Sequence, residues 1–88
     1  MGETTPRRRP LDIEEAELGY RESLSLAQEL EMRPLQAHCH LGLGKLYRRT
    51  GRPDEARAEL AMAVAMLREM GMSFWLLEAE RELVEAGG

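Results

Sequence analysis

The chain has 88 residues and a net charge of −4, with 43% hydrophobic and 32% charged residues, which fits one small globular domain burying roughly 60–65% of the surface its unfolded chain exposes. That charge excludes a general nucleic-acid binder, which needs a basic face, and the single cysteine, Cys39, excludes an internal disulfide and fits a reducing compartment. No apolar run approaches the roughly 18 residues of a bilayer span and none follows the N-terminal arginines as a secretory signal requires, so a cytoplasmic location without membrane contact is expected.

Residues 1–11 read as a flexible tail in which Pro6 and Pro10 bracket Arg7-Arg8-Arg9, with nothing to bury. A helical domain is predicted over 12–86. Its first helix, over about 12–32, begins at the N-cap candidate Asp12, and Ile13, Ala16, Tyr20, Leu24, Ala27 and Leu30 recur at helical spacing. Arg33-Pro34 is expected to end it, because a residue before proline is pushed out of the helical region. Pro34 opens a second helix over 34–50, with one stripe of Leu35, Cys39, Leu43 and Leu46 and an adjacent one of His40, Gly44 and Tyr47; Gly51 follows as a left-handed cap. Pro53 starts a third helix over 53–70, capped by Gly71. Ser73 is the expected N-cap of a fourth, over 73–86. Connections this short make consecutive helices antiparallel hairpins in an all-α fold.

The four helices are internally related. A shift of about 40 residues lays Asp12-Ile-Glu-Glu-Ala16 on Arg52-Pro-Asp-Glu-Ala56, Tyr20 on Leu60, Leu30 on Met70 and Leu43 on Leu83, a period that marks a helical solenoid. Within it, Leu43-Gly44-x-x-Tyr47 is followed by Ala56-x-x-x-Leu60 and Ala63. Gly44 and Ala56 are small where two helix backbones approach. These residues resemble the tetratricopeptide repeat, over roughly Asp12 to Ala86. His40 stands where that family usually has tryptophan, Leu60 replaces a common phenylalanine, and no closing proline occurs near Arg68. The long helices are similar to the variant found in bacterial signalling and transcription-regulating proteins. The resemblance implies a four-helix solenoid fragment, one complete repeat between two halves, with Leu43, Gly44, Tyr47, Ala56, Leu60 and Ala63 as its repeat-packing residues.

No catalytic constellation emerges. His38 and His40 lie about 200° apart around a helix axis and do not converge on one ion, and Cys39 reads as a small buried hydrophobe. The acidic residues read as solvated helix faces, and no glycine-rich loop follows a strand. No catalytic, metal or cofactor site is therefore expected, and the chain is read as a non-enzyme.

Two candidate surfaces remain. The resemblance implies a concave protein- or peptide-binding face carrying His38, Leu41, Lys45, Arg48 and Arg49 on the second helix and Glu78, Arg81, Glu82 and Glu85 on the fourth. The third helix is apolar nearly all round, with Met62 and Met66 opposite its inward stripe, and Phe74 and Trp75 are adjacent, so both do not face one small core. Met62, Met66, Phe74 and Trp75 are the expected self-association residues, making the chain a protein-interaction scaffold that forms homo-oligomers. The alternative is a truncated or engineered segment of a larger bacterial regulatory protein whose role depends on absent domains.

Overall fold

The computed structural model describes residues 10–87, with side-chain surroundings for 12–86. The arginine triplet of the expected tail lies outside the described residues. Four helices follow one another: α1 (Pro10–Glu29), α2 (Arg33–Arg49), α3 (Pro53–Met70) and α4 (Ser73–Gly87). Each packs on its predecessor; α2 also touches α4 lightly, whereas α1 packs on neither α3 nor α4.

The first three helix starts carry a proline. Pro10 is the first residue of α1, Pro34 lies in the first two positions of α2, and Pro53 opens α3. The missing N–H is one that no helix start can satisfy internally, and the fixed φ suits the position. This corrects the expected tail boundary: α1 begins two residues before Asp12, so Asp12 lies in its first turn. Ser73 likewise lies inside α4 rather than capping it.

Helix ends share one turn. Glu31, Gly51 and Gly71 have φ of 56°, 76° and 69°, and the residue after each reaches back to the helix: Met32 N–H to Ala27 O at 2.8 Å, Arg52 N–H to Tyr47 O at 2.9 Å, and Met72 N–H to Leu67 O at 3.0 Å. This left-handed closure satisfies carbonyls that would otherwise lack partners. The first helix therefore stops at Glu29, before Pro34 acts on it. Glu31 is the one non-glycine residue with positive φ among the described residues, a conformation that costs an L side chain about 1–2 kcal/mol. Glu31→Gly relieves that strain against a smaller loss of about 0.4–1 kcal/mol through the unfolded chain. Its thermal unfolding midpoint is expected to rise by a few degrees.

The core lies between α2 and α3 and continues to α4. Tyr47, Leu43, Leu60 and Leu67 are its largest fully buried side chains, with Ala37, Ala56, Ala63 and Ala79 completing the contact. Gly44 lets α2 and α3 approach: a Cβ there would overlap Leu60 Cγ and Cδ2. Gly42 does the same for α1, because a Cβ would overlap the Tyr20 ring. Tertiary packing thus accounts for both mid-helix glycines, each of which forfeits about 1 kcal/mol of helix propensity.

Candidate functional site

The residues expected on a concave face are split by the structure into three groups. Leu41 is 3% exposed and belongs to the core, so it is unavailable to a ligand. Lys45 pairs with Glu78, and Arg48 reaches Glu82 at 3.0 Å and Glu85 at 3.1 Å, stitching α2 to α4. His38 meets Trp75 edge-on with ring centroids 4.6 Å apart. Only Arg49 and Arg81 stand exposed, with no ion pair among the described residues. The basic helix and the acidic helix therefore neutralise each other within the chain. Such half-exposed pairs contribute about 0.2–1 kcal/mol each.

The expected association residues also separate. Met66 is 8% exposed and sits in the core, while Met62 is 51% exposed. Both line a hollow of about 540 Å³ between α1 and α3, floored by Gln36 and His40 of α2. The hollow exists because α1 and α3 each pack on α2 without meeting. Trp75 is half-buried between His38 and Phe74, and Phe74 itself is 72% exposed.

The sequence reading did not single out Val84, 72% exposed on α4, or Leu18 and Leu26, both more than half exposed on α1; Leu77 is 66% exposed on α4, and Leu30, expected on the apolar stripe of the first helix, is 58% exposed just beyond the end of α1. The internal repeat carried the signal: Leu77 and Val84 occupy the positions of Ala37 and Gly44, and Leu26 and Leu30 those of Met66 and Met70.

His38, Cys39 and His40 diverge as helical geometry requires. His40 Nδ1–H donates to Glu59 Oε1 at 2.7 Å, the imidazole buried and the carboxylate half-buried. Burial pushes the Cys39 thiol up from its ordinary value, the reverse of what an activated nucleophile needs. No group of three or more His, Cys, Asp or Glu is placed to hold a metal among the described residues, and none of their helices is long and apolar enough to cross a membrane.

A polar network around Tyr47 joins three segments. The Tyr47 hydroxyl donates to Glu17 Oε2 at 2.7 Å, and Arg21 donates to the hydroxyl. Arg52 lies over the Tyr47 ring at 4.3 Å, donates to Glu17 Oε1 at 3.2 Å, and forks onto both oxygens of Glu55. The Tyr47 hydrogen bond, joined by those from Arg21 and Arg52, holds the Glu17 carboxyl below the usual range. Burial and the Glu17 carboxylate push Tyr47 up to about 12. Arg52 lowers Glu55. The network fixes where α1 lies on α2 and how the α2–α3 turn is held.

The sequence model of the tetratricopeptide repeat family matches residues 12–69, covering all but the first two residues of α1, all of α2 and nearly all of α3. No curated protein and no solved structure matches the chain.

Proposed function

The chain belongs to the tetratricopeptide repeat family, and from that membership we propose that it is a non-catalytic protein-interaction scaffold that associates with copies of itself through apolar helix faces. Protein–protein interaction is what the family's repeats provide in general; self-association is the further step. The observation that carries it is the outer stripe of α4, where Phe74, Leu77 and Val84 are 72%, 66% and 72% exposed on one helix. Single exposed leucines are ordinary, but three large apolar side chains aligned on one face of an 88-residue chain form the kind of patch that marks an interface. Leu18 and Leu26 stand exposed on α1, with Leu30 exposed just beyond its end.

A peptide held between α2 and α4 is the weaker reading, because Lys45 and Arg48 are already paired with Glu78, Glu82 and Glu85, leaving Arg49 and Arg81 as the free charges of that face. A reducing, cytoplasmic setting fits the unpaired Cys39 thiol. Should the chain be a segment of a longer regulatory array, neighbouring repeats would cover the same apolar faces.

Light scattering after size exclusion, over a wide concentration range, tests the proposal. The mass is expected to rise above that of one chain as concentration increases. A folded single chain at every concentration would refute self-association.

A further inference from the structure

Residues related by the forty-residue shift agree in exposure at some contacts and not at others, and the mismatch isolates two faces. Ala27 and Leu67 are both buried, as are Cys39 and Ala79 and Leu46 and Ala86, because the α1–α2 and α3–α4 contacts are equivalent. The α2–α3 contact has no second example among the described residues. Its α2 side buries Ala37 and Gly44, and the matching residues of α4, Leu77 and Val84, are exposed. Its α3 side buries Ala63 and Met66, and the matching residues of α1, Ser23 and Leu26, are exposed. Helix α4 is therefore an α2 lacking its α3, and α1 is an α3 lacking its α2.

Building on the self-association reading above, we infer that the occupant of both faces is a second copy of this chain, joined head to tail: α4 of one copy packs antiparallel against α1 of the next in the register of the α2–α3 contact, at the wider spacing that Val84 in the place of Gly44 requires. The new junction continues an interface already present in every copy. The register follows from that interface. Arg33 meets Glu69, His40 meets Glu59, and Gly44 lies under Leu60; shifted by forty, Ser73 falls opposite Glu29, Glu80 opposite Gly19, and Val84 opposite Tyr20. Gly19 has nothing within 4 Å of where a Cβ would stand, so that surface is open, and the Tyr20 ring is turned onto Gly42 of its own chain. Charge also matches. Arg81 lies within the α4 stripe and in this register falls near Glu22 of α1, both exposed and without ion pairs among the described residues. Two different faces make a heterologous contact, which propagates into a chain of copies or closes into a ring and does not stop at a two-fold dimer.

Complementary blocking tests this directly. Leu26→Glu charges the α1 face and Leu77→Glu charges the α4 face, both at exposed side chains. Light scattering should show wild-type species larger than two chains, each variant alone at the mass of one chain, and an equimolar mixture forming a species of two chains and none larger. A Leu26→Glu protein that still associates with itself would indicate α4-to-α4 pairing, and a self-associating Leu77→Glu protein α1-to-α1 pairing. Either result overturns head-to-tail joining while leaving self-association standing, and so does a mixture that stays at one chain. Wild-type protein at one chain throughout overturns the self-association reading itself. If circular dichroism shows either glutamate variant unfolded, Leu26→Ser and Leu77→Ser carry the same test.

Discussion

Leu60→Ala is expected to destabilise the fold by about 2–5 kcal/mol, the range for truncating a fully buried leucine whose surroundings collapse only in part. Leu60 is 0% exposed at the centre of the α2–α3 contact. In a domain whose total stability is of the order of 5–15 kcal/mol, this is the largest loss expected from a single side chain here. The same site supplies a sharper test. Gly44→Ala in the wild-type background drives a Cβ into Leu60 Cγ and Cδ2 and is expected to cost about 1–3 kcal/mol by overpacking, outweighing about 1 kcal/mol of gained helix propensity. In the Leu60→Ala background both obstructing atoms are gone, and the next neighbour, the Ala56 carbonyl oxygen at 3.4 Å, is an ordinary contact. There Gly44→Ala is expected to stabilise, by about 1 kcal/mol. Denaturant unfolding of the four proteins should reveal the reversal of sign; a simple sum would mean that the two helices do not meet at this pair.

Tyr47→Phe is expected to have the second largest effect and to change the pH dependence of stability as well as its level. Phenylalanine keeps the ring under Arg52 but leaves the Glu17 carboxylate without its hydroxyl donor, a loss of about 1–3 kcal/mol for a hydrogen bond to a charged group. Tyr47 titrates in the folded state near 12, against an ordinary 10. Its protonated form is therefore favoured by folding, and that contribution is intact below pH 10 and disappears as pH rises towards 12. A shift of this size corresponds to about 2–3 kcal/mol. The wild-type protein should lose stability through that alkaline window, and the phenylalanine variant should lose less. The acid side has the opposite sign. Glu17 is lowered in the fold, so its contribution is present above the ordinary carboxylate value near 4.5 and fades as pH falls through the depressed one. Part of it survives in Tyr47→Phe, because Arg21 and Arg52 still donate to Glu17. Chemical denaturation between pH 3 and about 12 for both proteins checks both limbs.

The elements that could be read from the sequence are those set by local chemistry. Proline and glycine around residues 51–53 forced a turn whatever the tertiary structure, and the leucine-glycine-tyrosine spacing located the tight α2–α3 crossing. The end of α1 is not legible in the sequence because no glycine marks it: Glu31 adopts a left-handed conformation that residue type alone would not suggest. Met66 was assigned to the outer side of α3 because a helix apolar on every side has no stripe by which periodicity can choose a face. The pairing across α2 and α4 was illegible for a different reason. Opposite charges on α2 and α4 were visible, but whether Arg48 reaches Glu82 and Glu85 depends on how closely α4 lies beside α2 after a full hairpin intervenes. The Tyr47–Glu17 bond spans 30 residues and rests on the same long-range geometry.

The shared turn has a consequence for how such a chain changes length. Glu31, Gly51 and Gly71 stand twenty residues apart, each in the same left-handed position, whereas the pattern of packing faces returns only after forty. Any helix can follow any other through that turn, so the backbone tolerates gain or loss of a single helix. The faces do not: one twenty-residue unit added or removed would set two like surfaces against each other, while a forty-residue unit would leave every contact with its proper counterpart. Since stability in stacked repeats is mostly a sum over neighbouring contacts, the unit that duplication can add or delete without penalty is the two-helix hairpin.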